Sequence, residues 1–383
     1  MSTSPSAWPA TLPADIAALL ERFHGDVAPT ARLRERLRAH APDLSALHQI
    51  VAPIAPPPSD CVARLPRPGS QDWSALHAEG TRRVRAGEVA VVVLAGGMAT
   101  RFGSVIKALA EVFPAKGVRF VDAKTADLRR WGGAIPAALM TSFATHAAIA
   151  EALEADGLSS TYTLAPQFVS LRLCPDGSLF LDDTGRPSPY ATGHGDLPDA
   201  LRAAGLLAAW RAQGVRTVLV SNVDNLGATV DPVLYAQHRQ SEARITVELV
   251  SKQPGDRGGL PVSLGGRLVL AEAFRLPPAF PEGDFPYFNT NTLWIDLDTL
   301  EASARPDIPW TWCAAQKIVD GRPAIQFERL VGEITWWHPT RYVHVDREGP
   351  GSRFVPVKEV EDLTRNAEAL QAVWSRISAE PPR

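Results

Sequence analysis

Residues 89–103 read VAVVVLAGGMATRFG, and the reading of that stretch decides the fold. Val89–Leu94 is an unbroken run of aliphatic residues, the pattern of a strand buried on both faces. Gly96 and Gly97 end it. Glycines directly after a buried strand let backbone N–H groups approach a phosphate or a flat base. Arg101 and Lys107 add positive charge just downstream. The pattern is neither GxGxxG nor the GxxxxGKS/T of a P-loop, and a plain strand-to-helix turn accounts for it equally well.

Outward from there, strand-like runs recur at 135–140, 216–220 and 244–250, separated by helical stretches at 143–155 and 196–213. Alternation of this kind predicts an α/β fold with a doubly wound sheet. Such sheets bind ligands beyond the carboxyl ends of their strands. Residues 258–295 alternate differently, and Gly265-Gly266 reads as a hairpin turn. This predicts an antiparallel insert or edge over the crevice. Upstream, Ile16, Leu19, Leu20 and Phe23 form one apolar helix face. Residues 30–40 continue as helix, with Thr30 as its N-cap. Prolines at 53, 56, 57, 58, 66 and 68 then interrupt regular structure. The expected division is a helical, Pro-rich segment over 1–85, a catalytic domain over 86–340 and a short C-terminal segment over 341–383. The last holds a strand near 341–345 and a helix over 366–378.

Composition excludes several classes. Lys and Arg total 39 against 42 Asp and Glu, a net charge of −3. That balance argues against a sequence-wide nucleic-acid surface, though a local basic site still binds phosphates. Three scattered cysteines, Cys61, Cys174 and Cys313, form no CxxC. A disulfide framework is not expected, and a reducing cytoplasm fits best. No apolar run reaches membrane-spanning length, and MSTSPSAWPA carries no signal-peptide pattern.

Candidate chemistry clusters after the predicted strands. His194 stands between Gly193 and Gly195, a placement that suits ligand contact better than a core. Asp196 reads as a cap for the helix that follows. Ser221-Asn222-Val223-Asp224-Asn225 directly follows a strand; its carboxylate is placed to hold Mg²⁺ over phosphates, or else the segment is an Asx-turn. Asn289 and Asn291 offer donor and acceptor groups suited to sugar hydroxyls, and Lys358 follows a proline-held turn at Arg353–Lys358. There is no HExxH zinc pattern and no GxSxG nucleophile motif.

In order, LAGGMATRFG, GHGDL, VSNVDNLGATVD, FNTNTLWIDL and SRFVPVK resemble the UTP–glucose-1-phosphate uridylyltransferase family, the UDP-glucose pyrophosphorylases of eukaryotic type. AALMTSFATH at 137–146 is similar as well, and the resemblance runs from about residue 90 to about 363. It implies a Rossmann-like nucleotidyltransferase with a mixed sheet, helices on both faces, and Mg²⁺-dependent transfer of UMP from UTP to a sugar 1-phosphate. By position, Leu94, Ala95, Gly96 and Gly97 then hold the nucleotide, and Gln167 and Gly193 face the uracil. Arg101, Lys107 and Lys358 oppose phosphate charge. His194, Asn222, Gly259, Asn289 and Asn291 serve the sugar phosphate, and Asp224 the metal. The default sugar is glucose; the alternatives are an N-acetylhexosamine or broad-specificity enzyme, and a non-catalytic UDP-sugar sensor. The chain departs from the family at Met98-Ala99, in a loop that usually reads Gly-Leu-Gly-Thr, and at Ile106, where a proline usually precedes the loop lysine. Lys116 is therefore a competing candidate for that lysine. Residues 359–383 are too few for the family's C-terminal β-helix, so oligomers built through it are not implied.

Overall fold

The computed structural model describes residues 11–25, 27–40, 43–58, 60–99, 105–256, 258–281, 285–305 and 307–379. Its centre is an eight-stranded sheet: β1 (Val62–Arg64), β2 (Val89–Leu94), β3 (Ala137–Thr141), β4 (Tyr162–Pro166), β5 (Thr217–Asn222), β6 (Ile245–Ser251), β7 (Tyr287–Asp296) and β8 (Thr340–His344). The spatial order is β1-β8-β6-β7-β5-β2-β3-β4. Every neighbouring pair is parallel except those of β7, which runs against both β5 and β6. The expected mixed α/β sheet is thus observed.

The alternation within β2 explains its burial on both faces. Val89, Val91 and Val93 enter one core cluster, while Ala90 and Val92 enter another on the opposite face. The helices in chain order are α1 (Ala14–Arg22), α2 (Val27–His40), α3 (Gln71–Arg85), α4 (Phe120–Arg129), α5 (His146–Ala155), α6 (Leu197–Ala203), α7 (Leu206–Ala212), α8 (Pro232–Gln240), α9 (Leu297–Ser303), α10 (Glu361–Arg365) and α11 (Ala367–Ser378). The first cluster holds apolar residues of α4, α5, α8 and α11, and the second those of α6, α7 and α9. Helices therefore cover both faces, the doubly wound arrangement.

Two local expectations are corrected. α2 begins at Val27, so Thr30 lies inside it, and its hydroxyl pairs with that of Ser170 rather than capping a helix. The stretch 196–213 is two helices, because Gly205 between them adopts a left-handed conformation. The Pro-rich segment is not free of the sheets: Ile54–Ala55 pairs with Ser263–Leu264, and β1 extends the central sheet beside β8. The hairpin at Gly265-Gly266 forms as expected, joining Gly259–Leu264 to Arg267–Glu272.

Candidate active site

β2 and β5 are adjacent, parallel and end level, with Leu94 opposite Asn222. Chain order reverses between them, since β3 lies on the far side of β2. In open α/β sheets, ligands bind in the crevice at such a switch point. A cavity of about 740 Å³ opens there. Leu94, Gly96, Gly97, Lys107, Gln167, Gly193, His194, Asn222, Asp224 and Lys358 all line it. Residues more than 260 positions apart in sequence thus face one space.

The glycine turn has a measurable steric reason. A Cβ on Gly96 would stand 2.8 Å from the Gln167 side-chain oxygen, so any other residue there would displace that amide from the turn. Ser142 Oγ donates to the Gly96 carbonyl at 2.8 Å and holds it from behind. Gly193 has φ 97°, and a Cβ there would meet the Arg329 carbonyl at 2.5 Å. His194 follows directly. Its Nδ1 accepts the Val331 N–H at 2.9 Å, which leaves Nε2 as the protonated, donating nitrogen. Burial also holds the ring's pKa below its ordinary value, favouring that neutral form. Asp196 does not cap α6: its carboxylate takes the Phe168 N–H, the Thr192 hydroxyl and the Arg329 guanidinium. A buried arginine within reach outcompetes free helix N–H groups for that charge.

Three charged side chains, Lys107, Asp224 and Lys358, face the cavity. Burial pushes the Asp224 carboxyl above the ordinary carboxylate range, and Lys107, Lys358 and Lys124 oppose that shift. Lys107 is 6% exposed. Burial lowers its pKa, against the attraction of Asp224 and Asp362. Its ammonium lies 5.2 Å from the Phe120 ring centroid. Lys116 is exposed, sits over Phe113 and Trp374, and does not line the cavity. Arg101 lies outside the described residues.

Lys358 is delivered by a stitched pair of loops. Asn225 Oδ1 accepts the N–H groups of Gly227 and Val355, and its Nδ2 donates to the Arg353 carbonyl. Arg353, read from sequence as part of a ligand turn, is instead an anchor: it makes a bidentate pair with buried Glu248. Lys358 N–H donates to Asp362 at the start of α10.

The other candidates stand around this space. Ala95 is buried under the turn, its N–H on the Met140 carbonyl. Because β7 is reversed, Asn289 and Asn291 at its beginning lie at the carboxyl end of β5. Asn291 donates to Asn222 Oδ1 at 2.9 Å, and Asn289 Oδ1 accepts the Asn291 N–H at 3.0 Å. Gly259 abuts Asn289 and Glu272. Ala95, Gly259, Asn289 and Asn291 are not lining residues of the cavity, and the two asparagines connect to it through Asn222.

Sequence reasoning missed Arg172, Lys317, Gln326 and Glu328, which form a polar wall of the same cavity. Arg172 donates to Gln326, Gln326 to Glu328, and Lys317 pairs with Glu328 at 3.8 Å. Lys317, Gln326 and Glu328 come from the hairpin Cys313–Val319/Arg322–Glu328. No local pattern marks them, since their grouping depends on where that hairpin folds. Among the described residues no group of three or more His, Cys, Asp or Glu gathers as a metal cage. No helix among them is long and apolar enough to cross a membrane.

The sequence model of the family described as UTP–glucose-1-phosphate uridylyltransferase matches residues 59–376. UTP–glucose-1-phosphate uridylyltransferase 2 of Dictyostelium discoideum is 29% identical over 331 residues, covering 81% of this chain and 63% of its own. The Pyrus pyrifolia UTP–glucose-1-phosphate uridylyltransferase is 30% identical over 295 residues, covering 72% and 61%. The chain thus spans a little over three fifths of the length of these curated relatives. In fold it is similar to a uridine diphosphate N-acetylglucosamine pyrophosphorylase from Trypanosoma brucei, with TM-score 0.74 at 20% identity over 92% of this chain and 79% of that one.

Proposed function

This chain belongs to the UTP–glucose-1-phosphate uridylyltransferase family, and from that premise we propose that it transfers a uridylyl group from UTP to glucose 1-phosphate. A phosphate oxygen of the sugar phosphate attacks the α-phosphorus of UTP in line. The new P–O bond forms as the bond to the β-phosphate breaks, and pyrophosphate leaves. No enzyme nucleophile is needed. The reaction requires two anions held in line and their repulsion offset. The observation that supports this most directly is the convergence of Lys107, Lys358 and Asp224 on one cavity at the β2–β5 switch point.

The roles proposed are those that family membership implies for these positions. Leu94, Ala95, Gly96 and Gly97 form the floor under the nucleotide, with Gln167 and Gly193 at the uracil. His194, as a neutral Nε2–H donor, and Asn222 hold the sugar phosphate. Gly259, Asn289 and Asn291 serve the sugar behind Asn222. Lys107, Lys358 and Arg101 neutralise phosphate charge. Asp224 fits a divalent cation, Mg²⁺: one carboxylate suits a hard dication that keeps water and phosphate oxygens in its other positions, while the lysines answer the remaining phosphate charge. Bound there, the ion would offset charge on the triphosphate. Residues 86–340 form the catalytic domain, flanked by 1–85 and 341–383, and the enzyme works in the cytoplasm without nucleic acid or membrane.

The test is pyrophosphate release by purified protein with UTP, Mg²⁺ and a panel of sugar 1-phosphates. Glucose 1-phosphate should be preferred. Preference for N-acetylglucosamine 1-phosphate would move the substrate to that of the Trypanosoma brucei pyrophosphorylase it resembles in fold. No release with any sugar, alongside measurable UTP binding, would leave a sensor rather than an enzyme.

A further inference from the structure

Lys124 on α4 is absent from every motif above, yet it is 5% exposed and fully enclosed by protein. It lies on the same helix stripe as Phe120 and Leu128, four residues to either side, both of which are core residues. An ammonium in that stripe demands partners, because an unpaired buried charge is costly. It has them. Nζ donates to the Asn225 carbonyl at 2.7 Å, the Ala228 carbonyl at 3.0 Å and Ser221 Oγ at 3.4 Å. All three ammonium N–H groups are thereby used, and the three oxygens flank Asp224 on both sides.

The same helix grips the far end of that loop. Asp127 accepts the Val230 N–H at 2.8 Å, and Arg130 donates to the Val230 carbonyl at 2.7 Å. Arg353 donates to the Thr229 carbonyl at 3.0 Å. The carbonyls of Asn225, Ala228, Thr229 and Val230 are therefore turned onto cationic side chains beneath the loop, and Asp224 is left at the cavity side. α4 also begins at Phe120, whose ring underlies the Lys107 ammonium and whose N–H bonds the Ala110 carbonyl. One helix thus supports both the lysine and the carboxylate of the site.

The geometry points to Lys124 as a positioning residue for uridylyl transfer: by holding the oxygens on either side of Asp224, it sets where that carboxylate meets the divalent cation of bound UTP. This rests on the proposed role of Asp224, and the experiment separates the two.

Lys124→Met keeps the length and the apolar stem but removes the donors. Lys124→Gln, which keeps donors without charge, serves as a second variant should the first not fold. Two quantities are measured on folded protein: steady-state kinetics against glucose 1-phosphate, and calorimetric affinity for UTP alone with and without Mg²⁺. The expected result is a fall in kcat of at least about tenfold, KM for glucose 1-phosphate within about threefold, and loss of most of the Mg²⁺-dependent gain in UTP affinity. UTP affinity without Mg²⁺ should stay near that of the wild type. A merely structural lysine would lower thermal stability and leave the Mg²⁺-dependent gain intact. That result, or wild-type kcat in a folded variant, overturns the inference. Wild-type protein that forms no UDP-sugar overturns the functional reading instead.

Discussion

The Val357 N–H donates to the Asp224 carbonyl at 3.0 Å, so the residue before Lys358 is tied to the backbone of the residue whose carboxylate Lys358 attracts. The positions of cation and anion in the cavity are coupled by main chain. Disturbing either loop should therefore impair both charges.

Lys107 and Lys116 make the most direct kinetic test. Lys107 follows the Met98–Ala99/Val105–Ile106 hairpin and lines the cavity, while Lys116 is exposed against Trp374. Lys107→Ala should lower kcat/KM by at least about a hundredfold, roughly 2.7 kcal/mol of transition-state stabilisation. Lys116→Ala should cost under about tenfold. Initial rates of both variants, with folding checked by circular dichroism, decide it; the reverse ranking would transfer the role to Lys116.

Asn225→Ala should hurt stability and turnover together. It removes acceptors from Gly227 and Val355 and a donor from the Arg353 carbonyl, all in buried surroundings. The expected loss is on the order of 2–4 kcal/mol in urea unfolding, with kcat reduced because Lys358 loses its mount. A variant destabilised to that extent but turning over normally would show that the 353–358 turn holds its place unaided.

Gly193→Ala places a Cβ 2.5 Å from the Arg329 carbonyl on a backbone with φ 97°. Strain of about 1–3 kcal/mol is expected. Its relief should displace His194 and raise KM for UTP and the sugar phosphate. Thermal melting and the two KM values report it, and unchanged values in both would mean that the backbone at Arg329 yields freely.

Lys124 gives stability a defined pH dependence. Burial lowers its pKa from 10.5 to about 8. The unfolded chain therefore binds more protons than the folded one between those two values, and stability rises with pH across that window. Below about pH 8 the full cost of the buried charge is present, roughly 3 kcal/mol at 1.36 per unit. Comparing wild type with Lys124→Met cancels the other titrating groups. The wild type should gain on the variant in urea midpoint from pH 7.5 to 10, and parallel profiles would contradict the assignment.

The sheet was legible because its strands are buried on both faces, which leaves continuous aliphatic runs such as Val89–Leu94 and Thr217–Val220. Glycines and polar residues after those runs marked the crevice for the same reason. Asp196 shows the limit: before a helix it reads as a cap, and only the fold brings Arg329 within reach. Lys124 offered a faint signal, a charge on an apolar stripe between Phe120 and Leu128. The Arg172–Gln326–Glu328 wall offered none, since its members are polar residues of ordinary spacing joined across 154 positions.

The reversed direction of β7 separates the two halves of the site by how readily they can change. On the roles proposed above, the nucleotide end rests on strand termini locked level by the Leu94–Asn222 register, where an inserted residue would shift every side chain to the opposite face. The sugar end starts from the first residues of β7, which the chain enters from the 259–272 hairpin outside the central ladder. Lengthening or exchanging that hairpin alters what approaches Asn289 and Asn291 and leaves all eight strands in register. On those roles, acquiring a new sugar would be a change of peripheral chain, whereas acquiring a new nucleotide would require rebuilding the sheet.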